Sequence, residues 1–206
     1  MADGSTAKGT VKAVELSPLE LSHARRVAES KATVPHAYLE SEVELGDAGT
    51  STEAVVRACA LALREFPRLN GAYRDGSLEL YERVNLGLAV PAEGTLLFPT
   101  IFDADAKSED QIATEIDELS ETARQGGITQ PQLSGATFSL ADLRAQGIAR
   151  SSGVVRGGQA AFLSVGATAS VLTLSLACDN RILQGPEAAG FLAKLGSLVD
   201  AHARPG

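Results

Sequence analysis

Residues 173–185, Thr-Leu-Ser-Leu-Ala-Cys-Asp-Asn-Arg-Ile-Leu-Gln-Gly, constrain this chain more than any other stretch. They begin as an apolar strand and end in a polar turn, and a helical pattern starts directly afterwards at Pro186. A strand that hands over to a helix through so short a turn fixes the position of both, and the rest of the chain is organised around it.

The chain has 206 residues, enough for one domain with a sizeable core. Residues 1–12 are small and polar and read as a flexible N-terminus, leaving a single domain over 13–206. Several partner classes fall away on composition. A net charge of −8 disfavours nucleic acid and anionic membrane surfaces. No apolar run reaches the roughly 18 residues that a membrane span needs. The N-terminus lacks the apolar core of a signal peptide. Cys59 and Cys178 sit in apolar surroundings, as two buried thiols of a cytoplasmic protein would. Cys and His show no metal-ligand spacing, so no metal and no bound cofactor is expected.

Along the chain, Ser17 is placed to cap a helix from Pro18 to Lys31, with Glu20 completing a capping box. Leu21, Ala24, Arg25 and Ala28 recur on one face of it. Ala37–Leu45 alternates as a strand, Gly46–Gly49 is a turn, and Ser51 or Thr52 caps a helix from Glu53 to Phe66. Asp75-Gly76 signals a hairpin, with strands read at 78–81 and 85–91. Ser108 caps a helix from Glu109 to Gln125 with Ile112, Ile116, Leu119 and Ala123 as its stripe. Strands are read at 137–140 and 159–166. The closing helix, Pro186 to Ala203, has Ala189, Leu192, Leu195 and Val199 as its apolar positions.

Several segments, in order, carry a resemblance. They are Leu16 to His36, ending in Pro35-His36; Pro67-Arg-Leu-Asn-Gly-Ala-Tyr73; residues 84–90 and 94–101; Leu133-Ser-Gly-Ala-Thr-Phe138; Gln159-Ala-Ala-Phe-Leu-Ser-Val-Gly166; and the strand–turn at 173–185. Together they resemble the catalytic domain of the dihydrolipoamide acyltransferases, the transacylase subunits of 2-oxo acid dehydrogenase complexes. The resemblance implies an α/β (α+β) fold of the chloramphenicol acetyltransferase type: a two-layer mixed sheet flanked by helices. It also implies a homotrimer with active sites at subunit interfaces. No lipoyl or subunit-binding segment is recognisable, so a free-standing domain is expected.

Three polar positions of the family site differ. The family turn reads Asp-His-Arg-x-x-Asp-Gly, whereas this chain has Asp179-Asn180-Arg181-Ile-Leu-Gln184-Gly185. Asn180 stands at the catalytic histidine and Gln184 at the following aspartate. The strand that carries the family's oxyanion-donating serine reads Thr137-Phe-Ser-Leu-Ala-Asp-Leu143, with Ala141 at the serine. An amide does not titrate near neutral pH, so Asn180 cannot take a proton as histidine does. The resemblance makes Arg26 the arginine that loses its anionic partner at Gln184, and leaves Asp179 to pair with Arg26 or Arg181. Candidate catalytic residues are His36 and Asn180. Candidate substrate contacts are Asn180, Gln184, Ala141, Ser139 and Asp142. An acyl thioester of coenzyme A or of an acyl-carrier protein is the implied substrate. Two readings stay open: an acyl-thioester enzyme of specialised metabolism carrying out acyl transfer, elimination or cyclisation without the family histidine, or a non-catalytic structural or partner subunit of a transacylase assembly.

Overall fold

The computed structural model describes residues 5–45, 49–92 and 95–203. The expected turn at 46–49 lies mostly outside them. At the N-terminus, where a flexible arm was expected, β1 (Ser5–Thr6) and β2 (Gly9–Thr10) form a short antiparallel hairpin. Helix α1 (Pro18–Thr33) starts as its sequence requires. The Ser17 hydroxyl accepts the Glu20 N–H, and the Glu20 carboxylate accepts the Ser17 N–H.

Strand β3 (His36–Glu44) and helix α2 (Thr52–Glu65) follow, the latter capped by Ser51. The Asp75-Gly76 turn joins β4 (Gly71–Arg74) to β5 (Ser77–Leu80), so the strand entering that turn is 71–74 and the expected pair 78–81 and 85–91 is shifted. Both turn residues have positive φ, the geometry that a two-residue hairpin demands. Next come β6 (Leu86–Leu88), β7 (Val90–Ala92), β8 (Thr95–Leu97) and β9 (Thr100–Ile101). The chain ends with α3 (Glu109–Arg124), β10 (Phe138–Asp142), β11 (Ala161–Ala167), β12 (Val171–Asp179) and α4 (Gly185–Ala203).

Six strands make the main sheet, in the order β3-β12-β11-β10-β6-β9. β12 runs antiparallel to both neighbours, and β10 runs parallel to β11 and β6, so the sheet is mixed. Residues 172–179 of β12 are all buried, and apart from Asp179 at its end they are apolar or small and uncharged. Its alternation is still visible. Leu172, Leu174, Leu176 and Cys178 join Leu163, Val165, Leu86, Phe138 and Leu140 in the main core with α2 and α4. Truncating a side chain such as Leu63 there should cost about 2–5 kcal/mol. Cys59 and Cys178 are free and buried. Burial pushes the Cys59 thiol far up, and burial together with Asp179 pushes Cys178 up to about 12.

The opposite face of the sheet is small and polar: Thr173, Ser175, Ala177, Ser164 and Ala141. The loop after β10 crosses it. Gly166 lets this loop pass, since a Cβ there would lie 2.3 Å from the Ala149 carbonyl oxygen. A small cluster of Phe98, Ala141, Val155, Phe162 and Ala177 closes beneath it.

Two helical readings change. On α4 the buried alanines are Ala188 and Ala203, and Ala189 is exposed. On α1 the expected stripe of Leu21, Ala24, Arg25 and Ala28 is exposed, and Ser30 is the one buried residue, its hydroxyl donating to the Val155 carbonyl at 2.5 Å. The helical period was right, but nothing among the described residues covers that face.

Candidate functional site

The turn that leaves β12 is held by its first residue. The Asp179 N–H donates to Ala160 O, and the Asp179 carbonyl accepts from Ile182 and Leu183. Its carboxylate, 2% exposed, takes the Arg181 backbone N–H at 3.1 Å, Nε at 2.9 Å and Nη2 at 2.6 Å. Arg181 lies 3.9 Å above the Tyr73 ring, and its bonds to Asp179 raise its pKa. The partner of Asp179 is therefore Arg181. Arg26 makes no bond to Asp179 or Gln184.

That frame presents Asn180 and Gln184 to solvent. The Asn180 backbone N–H donates to Pro35 O at 3.0 Å. Neither side-chain amide has a hydrogen-bond partner among the described residues.

The β10 candidates lie elsewhere. Ala141 pairs with Ser164, and Ser164 with Ser175, so Ala141 and Ser175 share a row of the sheet. Asn180 is five residues beyond Ser175, about 16 Å along the strand direction at roughly 3.3 Å per residue. One chain does not bring Asn180 and Ala141 together. Ser139 is fully buried, and its hydroxyl has no partner among the described residues. It fits only because residue 87 is glycine, where a Cβ would sit 2.8 Å from the Ser139 Oγ.

Asp142, read from sequence as a substrate contact, is committed to the fold. Its carboxylate accepts the Thr52 hydroxyl at 2.7 Å, the Arg144 N–H at 3.1 Å and Arg144 Nε at 2.8 Å, and it also pairs with Arg144 Nη2. Burial alone would raise its pKa. The bonds from Arg144 and Thr52 outweigh that and hold it below the ordinary carboxylate range.

His36, read as a candidate base, has both ring nitrogens engaged by backbone. Nδ1 lies 2.8 Å from Val34 O, and Nε2 accepts the Val155 N–H at 3.0 Å. A carbonyl can only accept and an amide N–H can only donate, so the neutral Nδ1–H tautomer is the one that fits. The lone pair a base would use is occupied, and His36 acts here as a pin between β3 and the loop after β10.

A cavity of about 670 Å³ opens between α1, residues 130–136 and residues 154–159. A second of about 300 Å³ adjoins it and shares His23, Arg26, Phe98, Gln130, Leu133 and Arg156. Sequence reasoning passed over Arg156, Phe98 and Phe162. Arg156 belongs to no motif, Phe98 and Phe162 lie in segments that carry the resemblance without a site role, and the three meet only through the fold. No cluster of three or more His, Cys, Asp or Glu suited to a metal occurs among the described residues.

The profile of the 2-oxoacid dehydrogenases acyltransferase (catalytic domain) family matches residues 8–204. The chain belongs to this family. Acyltransferase-family relatives include the dihydrolipoyllysine-residue acetyltransferase component of the pyruvate dehydrogenase complex of Zymomonas mobilis, 27% identical, with 91% of this chain and 49% of the relative covered. Component 3 of the mitochondrial complex of Arabidopsis thaliana is 30% identical over 96% of this chain and 45% of its own length. The chain thus spans about half the length of these curated relatives. Among solved structures, a probable dihydrolipoamide acetyltransferase from Listeria monocytogenes superposes with a TM-score of 0.89 at 26% identity, covering 95% of this chain and 97% of that one. The Azotobacter vinelandii dihydrolipoamide acetyltransferase, studied for the catalytic roles of a serine, a histidine and an asparagine four residues after it, gives 0.89 at 26% identity, covering 94% and 93%. Chloramphenicol acetyltransferase shares the fold, with a TM-score of 0.54 at 17% identity over 85% of this chain and 94% of that one.

Proposed function

We propose that this chain binds an acyl thioester, of coenzyme A or of an acyl-carrier protein, in a channel between the copies of a homotrimer, and that its chemistry departs from that of its relatives. The register of the sheet carries the reading. The resemblance sets Asn180 and Ala141 at the family's base and oxyanion donor, yet one chain holds them about 16 Å apart along the strands. A site that uses both draws them from different copies. The uncovered α1 and the exposed Val11, Val14, Leu16, Leu19 and Leu21 supply apolar surface for such an assembly.

Losing a positioned base costs roughly 10²–10⁴-fold, and losing an oxyanion donor about 10²–10³-fold, without simple multiplication. Gln184 adds little to this argument, because the A. vinelandii enzyme has a studied asparagine four residues after its histidine. The weight rests on Asn180 and Ala141. Two neutral amides and a methyl suit orienting a carbonyl better than deprotonating a thiol. Acyl transfer by another route, elimination or cyclisation in specialised metabolism fits such a pocket, with no bound cofactor.

The test joins light scattering to calorimetry. The mass should be three times that of the chain. Acetyl-coenzyme A should bind the wild type and bind Asn180→Leu about tenfold more weakly, one net hydrogen bond being worth about 1 kcal/mol. A trimer that binds no acyl thioester would instead be a structural or partner subunit of a transacylase assembly. A monomer would overturn the channel itself.

A further inference from the structure

The large cavity contains two arginines that no acid among the described residues answers. Arg26, on α1, and Arg156, on the loop before β11, line both adjoining hollows. Neither forms an ion pair with any described residue. Among the described residues Glu29 is the one carboxylate on the lining and pairs with neither, and His23 is the other titratable group facing them. Arg156 is half-buried and lies with its guanidinium carbon 4.0 Å from the centre of the Phe98 ring. Stacking holds the plane of the fork while leaving its N–H edges free to accept a planar oxyanion.

Holding these charges together is unfavourable. Burial, and then the charge of Arg26, bring the Arg156 guanidinium down to about 10, so it remains a cation at neutral pH but a strained one. A second unmet polar group lies in the same cavity. Gln159 is 6% exposed; its Nε2 donates to Ala136 O at 3.0 Å, while its Oε1 is buried without a partner among the described residues. The remaining walls are mixed: Phe98, Phe162 and Leu133 give an apolar side, and Ser30, Thr33, Gln130 and Ser134 a polar one. A volume of 670 Å³ suits a small ligand rather than a single ion.

We propose that this cavity is an oxyanion subsite, in which Arg156 and Arg26 grip a carboxylate or phosphate group of an elongated ligand while its apolar stem lies along Phe98 and Phe162 and a ligand N–H or O–H meets Gln159 Oε1. The proposal rests on the acyl-thioester reading above and gives that substrate an anionic end. Two sources share the chemistry: the terminal carboxylate of a dicarboxylic acyl group, or a phosphate of the coenzyme A arm. Neither requires a bond to form or break at the arginines. Their task is recognition, and Arg156 is a specificity-determining residue rather than a catalytic one.

The experiment compares wild type, Arg156→Met, which keeps the apolar stem over Phe98, and Arg156→Lys, which keeps charge but loses the fork. Each is titrated calorimetrically with acetyl-coenzyme A, succinyl-coenzyme A, coenzyme A and 3′-dephospho-coenzyme A. Free succinate and inorganic pyrophosphate are tested by thermal shift at constant ionic strength. The expected result is a loss of about tenfold or more in Arg156→Met for at least one anion, since hydrogen bonds to charged groups are the strong ones, with Arg156→Lys in between. Loss confined to succinyl-coenzyme A assigns the carboxylate. Loss for coenzyme A that vanishes in the 3′-dephospho form assigns the 3′-phosphate, and equal loss for all four thioesters and thiols, together with a pyrophosphate shift that needs Arg156, assigns the diphosphate. If no thioester binds but succinate or pyrophosphate still shifts the wild type through Arg156, the subsite stands and the acyl-thioester reading falls. If thioesters bind and neither variant changes any affinity, the subsite is overturned and the functional reading survives. A fall in oligomer mass for Arg156→Met without any change in anion binding also overturns it, assigning the arginine to an acid of a neighbouring copy.

Discussion

Two turns in this molecule share one sequence pattern, Asp-x-Arg, at the C-terminal end of a buried strand. Asp142-Leu-Arg144 leaves β10, and Asp179-Asn-Arg181 leaves β12. In each, the aspartate carboxylate takes the backbone N–H and the guanidinium of the residue two positions on. Their surroundings differ. Asp142 is closed in by the Thr52 hydroxyl, and Arg144 reaches the Thr50 carbonyl at 2.7 Å, so this turn ties β10 to the start of α2. Arg181 has the Tyr73 face above it and stays partly open. The first pattern spends every polar atom on the fold. The second fixes its backbone and leaves the intervening Asn180 free. The same three-residue signal thus serves as a rivet at one strand end and as a presentation device at the other.

The largest expected effect is at the rivet. Asp142→Ala strands Arg144 and Thr52, and unfolding in urea should show a loss of about 3–5 kcal/mol, the range for removing one partner of a buried pair. A loss below about 1 kcal/mol would break the contrast between the two turns. Next comes acid. Because Asp142 has a lowered pKa in the folded state, the unfolded chain binds its proton more readily, and stability rises with pH through this group. Its contribution is fully present above the unfolded value of about 3.9 and drains away as pH falls through the folded one. The urea midpoint of Asp142→Asn should therefore fall less steeply on acidification below about pH 4 than that of wild type.

At the presenting turn, Asp179→Asn should cost about 1–3 kcal/mol, less than Asp142→Ala because the freed Arg181 can turn to water. It should also weaken acyl-thioester binding, which Asp142→Asn should spare. Equal effects on binding would erase the distinction. The smallest effect is Tyr73→Leu, about 0.5–1 kcal/mol from the lost stack on Arg181, measured in the same urea titration.

What the sequence revealed follows from the range of the interactions. Ser17 with Glu20, Ser51 with Ala54, and Ser108 with Gln111 are contacts over three residues; Ser17 and Ser108 cap where they were read, and of Ser51 and Thr52 it is Ser51 that does so. β12 was legible because it is buried throughout. Thr52 and Asp142 are 90 residues apart, and nothing local to either predicts their bond. His36 looked available as a base because the chain does not reveal that a backbone N–H from residue 155 fills its lone pair. The α1 stripe had the right period, but periodicity does not say what covers it. Arg156 was invisible for a related reason: its meaning lies in Arg26 and Phe98, brought to it from distant elements.

The two free cysteines give the sheet a clock. Only a thiolate reacts with an alkylating reagent, and Cys178, with its pKa near 12 and its side chain in the main core, stays silent while β12 remains paired. Cys59 is silent for the same reason on α2, in the same cluster. Alkylation of either thiol therefore counts openings of the core rather than encounters at the surface. Because Cys178 precedes the presenting turn by a single residue, its labelling rate measures how long that turn stays in place between excursions.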